Sequence, residues 1–277
     1  MYAIKGLSSD TLMEQSMVLV ERLSEAATDG WFLGRVALAL ATGAVLAGTA
    51  LAEEDGDCLE TKNVAAEYSL QGIRDVAVRA GAGSLTVLGK PGLMAAQIRG
   101  VACSRRRGDL EKISLDSHSD SATLALSTVL PPVVTSSLGN LNARLHLTVE
   151  IPSTLGVRVV DTTGSLKVRD VAWAEIDDET GSIEVQDVPG LVHVVSDTSG
   201  SIKIERVGSV RIDEDGSGSI KASVVAGDVY VGRDGAGSIS ADEVGGSFTV
   251  VSNSTGGIRH HNVAGEVRIA GRRGAND

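Results

Sequence analysis

Short runs in which apolar and polar residues alternate follow one another along most of the chain, and in the second half they recur at nearly fixed intervals. Each interval begins with one five-residue signature: Asp or Asn, any residue, a small or hydroxyl-bearing residue, Gly, and Ser or Gly. The signature starts at Asp161, Asp178, Asp197, Asp215, Asp234 and Asn253, so the intervals are 17, 19, 18, 19 and 19 residues. Repeats this regular indicate a solenoid, in which each unit stacks on the last and buries one continuous core.

The apolar positions keep constant offsets from the signature glycine. Two residues after it stand Leu166, Ile183, Ile202, Ile220, Ile239 and Ile258, and seven residues after it stands a valine in every unit. Two-residue alternation and β-branched side chains indicate strands, and no unit contains a segment of helical periodicity. We therefore expect an all-β fold, a parallel β-helix or β-solenoid with rungs of about 18–19 residues, whose strands pair in parallel about 4.8 Å apart.

Residues 53–160 alternate in the same way without the repeat, which predicts irregular β coils and an N-terminal cap. A cap is needed because an open strand edge invites pairing with another chain. Gly83–Val87 is similar to one further unit that lacks the Asp. The segments predicted as strands are Ile73–Val78, Gln97–Ala102, Lys112–Leu115, Thr123–Leu126 and Leu145–Ile151. Regular repeats are then expected over residues 161–270, with a frayed tail at 271–277.

Residues 1–52 are predicted to be a leader and signal peptide. Val36–Leu51 is a run of 16 uncharged residues, and the small residues that end it predict cleavage after Ala52. Two alternatives concern the long stretch before the run: a start codon assigned too far upstream, with Met13 or Met17 as the later start, and an uncleaved signal anchor. We expect export to the periplasm, the cell surface or the medium, with membrane contact only through this segment if it stays uncleaved.

Composition narrows the possible partners. The net charge of -11 repels phosphate backbones and argues against a nucleic-acid partner. Aromatic residues make up only 3% of the chain, which suits a narrow core lined by Val and Ile. Two cysteines remain after cleavage, Cys58 and Cys103, and an even count in an exported chain predicts a disulfide between them. The alternative is two separately buried thiols.

Three features together resemble the putative-adhesin domain of bacterial envelope proteins. They are Val149-Glu150-Ile151-Pro152-Ser153, the pair Val157 and Val159, and the repeated Gly-Ser-Ile-x-Val units. The resemblance covers roughly residues 65–270. It implies an exported, single-stranded parallel β-helix. The family has no agreed activity and no established catalytic residues, so the resemblance assigns no site residue in this chain.

The best candidates for chemistry are the aspartates of the signature. They are Asp161, Asp178, Asp197, Asp215 and Asp234. We interpret each as a turn residue that accepts a hydrogen bond from the N–H two residues on, followed by a glycine with positive φ. The alternative is calcium between the rungs, which would remove the repulsion between stacked carboxylates. The order of residues differs from that of calcium-binding nonapeptides, so we expect no cofactor and keep calcium only as a hypothesis.

Other polar clusters carry weaker signals. The adjacent carboxylates at 177–179 and 213–215 are interpreted as solvated corners, not as a glycosidase pair. His260 is expected to cap the core and His261 to point away from it, so the two do not converge on one metal ion. The run Arg105–Arg107 is interpreted as a solvated turn, with a site for an anionic surface ligand as the alternative.

The sequence therefore predicts a non-enzymatic, exported solenoid that acts as an envelope or surface scaffold, or binds an unknown envelope or surface ligand as an adhesin does. The uniformity of the units favours this hypothesis, because an active site usually interrupts a repeat. One alternative is a β-helix enzyme or lectin that acts on envelope polysaccharide. Another is a calcium-stabilised solenoid.

Overall fold

The alternating segments form strands, and the all-β class is confirmed. The computed structural model of the protein describes residues 58–120, 122–132, 135–136, 139–140 and 143–270. Within these ranges there are fifteen strands and one helix, α1 (Arg107–Leu110). That helix is far too short to cross a membrane, and the described residues contain no other candidate span. The leader, its cleavage site and the tail predicted at 271–277 lie outside the described residues.

The strands follow in chain order. They are β1 (Glu60–Ser69), β2 (Asp75–Arg79), β3 (Leu85–Lys90), β4 (Ala95–Ser104), β5 (Ser114–Ser119), β6 (Thr123–Val129), β7 (Thr135–Ser136), β8 (Gly139–Asn140), β9 (Arg144–Pro152), β10 (Gly156–Arg169), β11 (Ala174–Val225), β12 (Val229–Val244), β13 (Phe248–Thr255), β14 (Ile258–Val263) and β15 (Val267–Ile269). All except β7 and β8 belong to one 13-stranded mixed sheet.

Strands β10 to β15 pair in parallel, in register with the sequence repeat. Val157 pairs with Ala174, a shift of 17 residues along the chain. Val210 pairs with Val229, a shift of 19 residues. The same 19-residue shift relates β12 to β13 and β14, and β13 to β15. Chemically equivalent residues of successive units therefore lie side by side.

Strand β11 contains 52 residues of uninterrupted pairing. Fully extended, it would measure about 170 Å, so the chain turns within it. Equivalent signature glycines lie against one another: a methyl group on Gly200 would stand 1.5 Å from the carbonyl oxygen of Gly181, and one on Gly218 would stand 1.4 Å from that of Gly200. A side chain at these positions would therefore collide with the backbone of the preceding unit.

The region before the repeats differs from the prediction. Its parallel strands extend the same columns, since Val76 pairs with Val157 and Leu85 with Leu166. However, β1 pairs with β4, β4 with β9, and β5 with β6 in antiparallel fashion. The sequence analysis predicted irregular β coils and an N-terminal cap here without these antiparallel pairs, and it did not identify β1 as a strand. Antiparallel pairs form without a repeated sequence. The spacing of the repeats therefore could not predict them.

The core is built from the predicted columns. Ile202, Ile220 and Ile239 are all buried, and so are the valines that follow each signature glycine at the seventh position, up to Val244. Burial decreases in the last unit, where Ile258 and Val263 are only partly buried and pack against the edge of the core. Narrow columns of Ile and Val thus suffice for a core with Phe248 as its one fully buried aromatic among the described residues.

Two backbone features recur in every unit. The signature glycines from Gly164 to Gly256 have φ between 118° and 152°, which confirms the predicted positive φ. Six residues that are not glycine also have φ between 53° and 58°, six positions after each signature glycine. They are Asp170, Asp187, Arg206, Val224, Glu243 and Asn262. The sequence analysis missed this second corner, because L-residues other than Asn and Asp rarely adopt the left-handed region.

Candidate functional site

The signature aspartates form a buried column. Asp161, Asp178, Asp197, Asp215 and Asp234 are each at most 2% exposed, and Asn253 continues the column in the last unit. Asp161 pairs in register with Asp178, and Asp215 with Asp234. We call these five aspartates and Asn253 the carboxyl column. It lies inside the fold, where no external ligand reaches it directly.

The N–H groups two residues after Asp161, Asp178 and Asp197 lower the pKa of these carboxyl groups, as the predicted turn would, but their hydrogen-bond geometry is poor. The carboxylate of Asp161 accepts a hydrogen bond from the N–H of Thr162, one residue on, at 2.9 Å. Neither carboxylate oxygen of Asp178, Asp197, Asp215 or Asp234 has a hydrogen-bond partner of good geometry, nor do the amide atoms of Asn253. Buried polar atoms usually have partners, so these unsatisfied oxygens require a physical explanation.

Burial changes the acidity of the carboxyl column. Desolvation raises the pKa of Asp161 and of Asp197 to about 6, against the lowering effect of nearby backbone N–H groups. Desolvation and, to a lesser extent, the charges of Asp161 and Asp197 raise the pKa of Asp178 to about 7. Desolvation and the charges of neighbouring aspartates raise the pKa of Asp215 to about 7. Desolvation also raises the pKa of Asp234.

The carboxylate runs at 177–179 and 213–215 were predicted to be solvated corners, but one member of each is buried. Asp178 and Asp215 point into the carboxyl column, whereas Asp177 and Glu214 are exposed. Strand alternation places neighbouring residues on opposite faces, so the members of each run do not converge on one substrate. In the part of the chain that the structure describes, no three His, Cys, Asp or Glu side chains are placed to hold one metal ion.

The exposed face of the same strands carries a cluster that the sequence analysis did not find. We call this cluster the polar row. It contains, in order along the face, Arg158 on β10, Glu175, His193 and Arg211 on β11, and Tyr230 on β12. Arg158 pairs in register with Glu175, and Arg211 with Tyr230. Arg158 and Arg211 share a residue type but the other three members differ, so no constant column reveals the row in the sequence.

The polar row is held together by ionic contacts between units. The guanidinium of Arg158 donates to Asp75 at 2.9 Å and lies 3.7 Å from Glu175. His193 Nδ1 lies 3.8 Å from Glu175, and His193 Nε2 lies 2.7 Å from Asp213. These contacts link side chains of successive units and fix their orientation towards solvent.

Asp213 is the ionised partner at the centre of this network. Desolvation raises its pKa, but hydrogen bonds from His193 and Arg211 outweigh that effect and hold the pKa below its usual value. Arg211 lies 2.7 Å from the second oxygen of Asp213. The carboxylate therefore orients both His193 and Arg211 and remains negatively charged at neutral pH.

Two aromatic rings contact the arginines of the polar row: Trp173 beside the row and Tyr230 within it. The guanidinium carbon of Arg158 lies 5.2 Å from the ring centroid of Trp173, and that of Arg211 lies 4.8 Å from the ring centroid of Tyr230. The Trp173 ring lies against Gly156, where a methyl group would stand 1.9 Å from Cε2. Planar guanidinium and aromatic groups on one face are suited to stacking against a flat or sugar-like ligand.

A second surface feature follows the left-handed corners. It is a wide, open groove of about 710 Å³ that includes Arg206, Val224, Glu243 and Asn262. Its lining also includes the small residues Gly208, Ala226 and Gly245. The groove is a consequence of the corners and contains no convergent polar groups.

The remaining sequence candidates have simpler roles. Cys58 and Cys103 form the predicted disulfide, with their Cα atoms 5.5 Å apart. His260 is exposed instead of capping the core, and its ring centroid lies 6.1 Å from that of Phe248. His261 pairs with Asp242 at 3.0 Å, so the two histidines do not share a partner. Arg105–Arg107 are exposed, and Arg107 begins α1.

No protein-family model matches the sequence, and no curated protein matches it. Several solved structures are similar to this chain at low sequence identity. One is a putative cell adhesion protein from Clostridium sporogenes, 14% identical, which covers 76% of this chain and 99% of its own, with a TM-score of 0.31. Another is a putative adhesin from Bacteroides fragilis, 18% identical, covering 76% and 97%, with a TM-score of 0.32.

A third is a putative adhesin from Parabacteroides distasonis, 8% identical, covering 76% and 97%, with a TM-score of 0.26. Each of these structures matches over nearly its whole length. At this level of similarity, a function for this chain has to come from its own residues.

Proposed function

We propose that this chain is an exported, non-catalytic β-solenoid that binds an envelope or cell-surface ligand through the polar row. The solenoid is supported by the parallel shifts of 17 and 19 residues and by the contacts between equivalent signature glycines. A solenoid presents long, flat faces on which side chains of successive units line up. Its rigid strands hold such a face in place before a ligand arrives, which lowers the entropy cost of binding.

Export is supported by the disulfide between Cys58 and Cys103. Disulfides persist in oxidising compartments and are rare in the cytosol. The same bond ties the start of the described chain to β4, next to the antiparallel strands of this end. The protein is therefore suited to a compartment outside the cytoplasm, where small scaffolds need covalent support.

The polar row is the single observation that carries the binding proposal. The row combines two arginines, a glutamate, a histidine and a tyrosine, and its basic groups are held by shared carboxylates and by guanidinium–aromatic contacts. Adjacent strands are about 4.8 Å apart, so the row from Arg158 to Tyr230 extends over about 20 Å. That length suits an extended ligand such as a glycan chain or a peptide.

Lectin activity is the second candidate for this face, and the rings of Trp173 and Tyr230, each beside a guanidinium, favour it. Aromatic faces next to ionised and hydrogen-bonding side chains are common features of sugar sites. Hydrolysis is less well supported. Glycosidases need a protonated carboxyl group as general acid, whereas the lowered pKa of Asp213 keeps it ionised.

A binding assay with two charge-matched double variants tests the proposal. Arg158→Ala with Arg211→Ala removes two positive charges and both guanidinium–aromatic contacts from the polar row. Lys221→Ala with Arg259→Ala removes two positive charges from exposed positions on another column. The probes are immobilised peptidoglycan, teichoic acid, lipopolysaccharide and a printed array of mammalian glycans.

We expect the wild type and the Lys221/Arg259 variant to bind at least one probe equally, and the Arg158/Arg211 variant to lose about tenfold or more in affinity. Equal loss in both variants would mean that only net charge matters. Retained binding in the Arg158/Arg211 variant would place the ligand elsewhere and reject the polar row as the site.

A further inference from the structure

The carboxyl column places several acidic groups close together inside the fold. Five carboxyl groups on β10, β11 and β12 are at most 2% exposed, and nine of their ten oxygens have no hydrogen-bond partner of good geometry. Neighbouring strands in a sheet are about 4.8 Å apart, so each group lies next to one or two others. Five buried negative charges at this spacing cannot all persist, because burial and repulsion both oppose ionisation.

The neighbours of the column offer no positive charge. The groups that act on the acidity of Asp161, Asp178 and Asp197 are one another and the backbone N–H groups of residues 162, 163, 179, 180 and 199. Asp215 and Asp234 act on each other, and Asp197 acts on Asp215. No Lys, Arg or His of the described residues is among these groups. Asn253 ends the column in the last unit, and Ala80 takes the equivalent position before Gly83.

Only protons or bound cations can therefore neutralise the column. Calcium requires six to eight oxygen ligands, whereas each gap between strands offers two carboxyl groups. Within the described ranges, no three acidic, His or Cys side chains converge on one point. Two carboxyl groups that share a proton satisfy each other with no further ligand, since the protonated group donates to its ionised neighbour.

We propose that the carboxyl column is a proton-sharing ladder, in which protonated aspartic acids alternate with ionised ones at neutral pH, so that the repeat region gains stability as the pH falls. Each protonated group donates its O–H to the carboxylate of the next unit. Each such contact gives partners to two oxygens that otherwise have none. The fold thereby acquires a built-in response to acid.

The direction of the pH effect follows from proton binding. The pKa values of about 6 to 7 in the folded protein lie above the ordinary value of 3.8. Between these limits the folded state binds protons that the unfolded state has released, so stability falls as the pH rises from about 4 to about 7. Ordinary surface carboxylates in ion pairs have the opposite effect, since they lose their partners on protonation.

Adjacent residues provide a matched pair of variants. Asp178→Asn replaces a carboxyl group of the column by an isosteric neutral amide, for which Asn253 is a precedent in the same column. Asp177→Asn makes the same chemical change one residue earlier, on the exposed face. Thermal unfolding of the full exported chain is measured at pH 5 and at pH 8 for both variants and the wild type.

We expect the wild type to unfold at a lower temperature at pH 8 than at pH 5, and Asp178→Asn to raise the midpoint at pH 8 by at least about 3 °C with little change at pH 5. Asp177→Asn should follow the wild type. If Asp178→Asn lowers the midpoint equally at both pH values, the carboxylate is ionised and held by backbone N–H groups, and the proposal is wrong.

Two further measurements use only the wild-type protein. Infrared spectroscopy of the wild type at pH 7 should show the carbonyl stretch of protonated carboxylic acids, which disappears as the pH is raised above 8. Its absence at pH 7 would contradict proton sharing. The unfolding midpoint should also be unchanged by EDTA or by added calcium, and a fall with EDTA that calcium reverses would assign the neutralising role to a cation instead.

Discussion

The two ends of the repeat stack are built differently. At the N-terminal end, antiparallel strands β1, β4 and β5 cover the columns, and the Cys58–Cys103 disulfide fastens β4. At the C-terminal end, β15 continues the parallel register, and the inward positions Val267 and Ile269 are 36% and 43% exposed. Identical columns stabilise only the units that have a neighbour on both sides, so a stack needs a different structure wherever it begins or ends.

This contrast locates the least stable part of the described chain. The last unit has fewer buried contacts, its histidines are exposed, and its valine at the seventh position is only partly buried. At the N-terminal end, β4 lies between β1 and β9, and a covalent link ties it to the residues just before β1. We therefore expect local opening to begin at β14 and β15, whereas β1 and β4 open only with the whole fold.

The largest expected effect is at a signature glycine in the middle of the stack. Gly200→Ala places a methyl group 1.5 Å from the carbonyl oxygen of Gly181 at a φ of 152°. Something in the backbone has to move, so we expect a loss of about 4 kcal/mol or more in the free energy of unfolding. Chemical denaturation measures it. The control is Gly92→Ala, which has φ 74° and nothing within 4 Å, and should cost about 1 kcal/mol.

Equal costs for the two glycine variants would mean that close approach of the coils does not determine the fold.

Removing the disulfide should weaken the N-terminal end alone. The bond joins residues separated by 45 positions, and in the chain-entropy model a loop of this size is worth about 4 kcal/mol. We expect the variant Cys58→Ser with Cys103→Ser to lose about 2–4 kcal/mol, with faster hydrogen exchange in β1 and β4. Faster exchange in β14 and β15 instead would contradict the assignment of the two ends.

Position along the stack should determine the cost of a core truncation. Ile202→Ala removes a fully buried side chain in the middle and should cost about 3 kcal/mol. Ile269→Ala changes an exposed residue of the last unit and should cost less than about 1 kcal/mol. Both values come from denaturant unfolding, and similar costs would show that the C-terminal end is covered in solution.

The smallest expected effect is a gain in stability. Val224 has φ 54°, a left-handed conformation that is unfavourable for a β-branched residue, and its side chain is exposed. Asn262 occupies the equivalent corner with φ 53°. Val224→Asn should therefore raise the free energy of unfolding by about 1 kcal/mol. A loss of stability would show that the Val224 side chain makes contacts that outweigh the strain.

The sequence reveals those parts of the fold that repeat. Constant offsets from each signature glycine identified the strands, the buried isoleucines and the positive φ of Gly164 to Gly256, because every unit solves the same packing problem with the same residues. The left-handed corner at Arg206 and Val224 repeats in conformation but not in residue type, so it left no pattern. The antiparallel strands at the N-terminal end do not repeat at all.

Even less of the candidate site than of the fold could be predicted from the sequence. The carboxyl column was visible as a set of aspartates, but its burial was not, because the signature also fits an exposed turn. The polar row depends on contacts between residues 17 to 20 positions apart, such as His193 with Asp213. Only the register of the strands brings them together, and a single changed interval would separate them.

The register between successive units is the central claim, and a cysteine cross-link tests it most directly. Ser219 pairs with Ser238 across β11 and β12, which places their Cα atoms within the range of a disulfide. The account predicts that Ser219→Cys with Ser238→Cys forms a bond on mild oxidation, whereas Ser219→Cys with Ser240→Cys, two residues out of register, does not. Equal or preferential cross-linking of the second pair would contradict the parallel register.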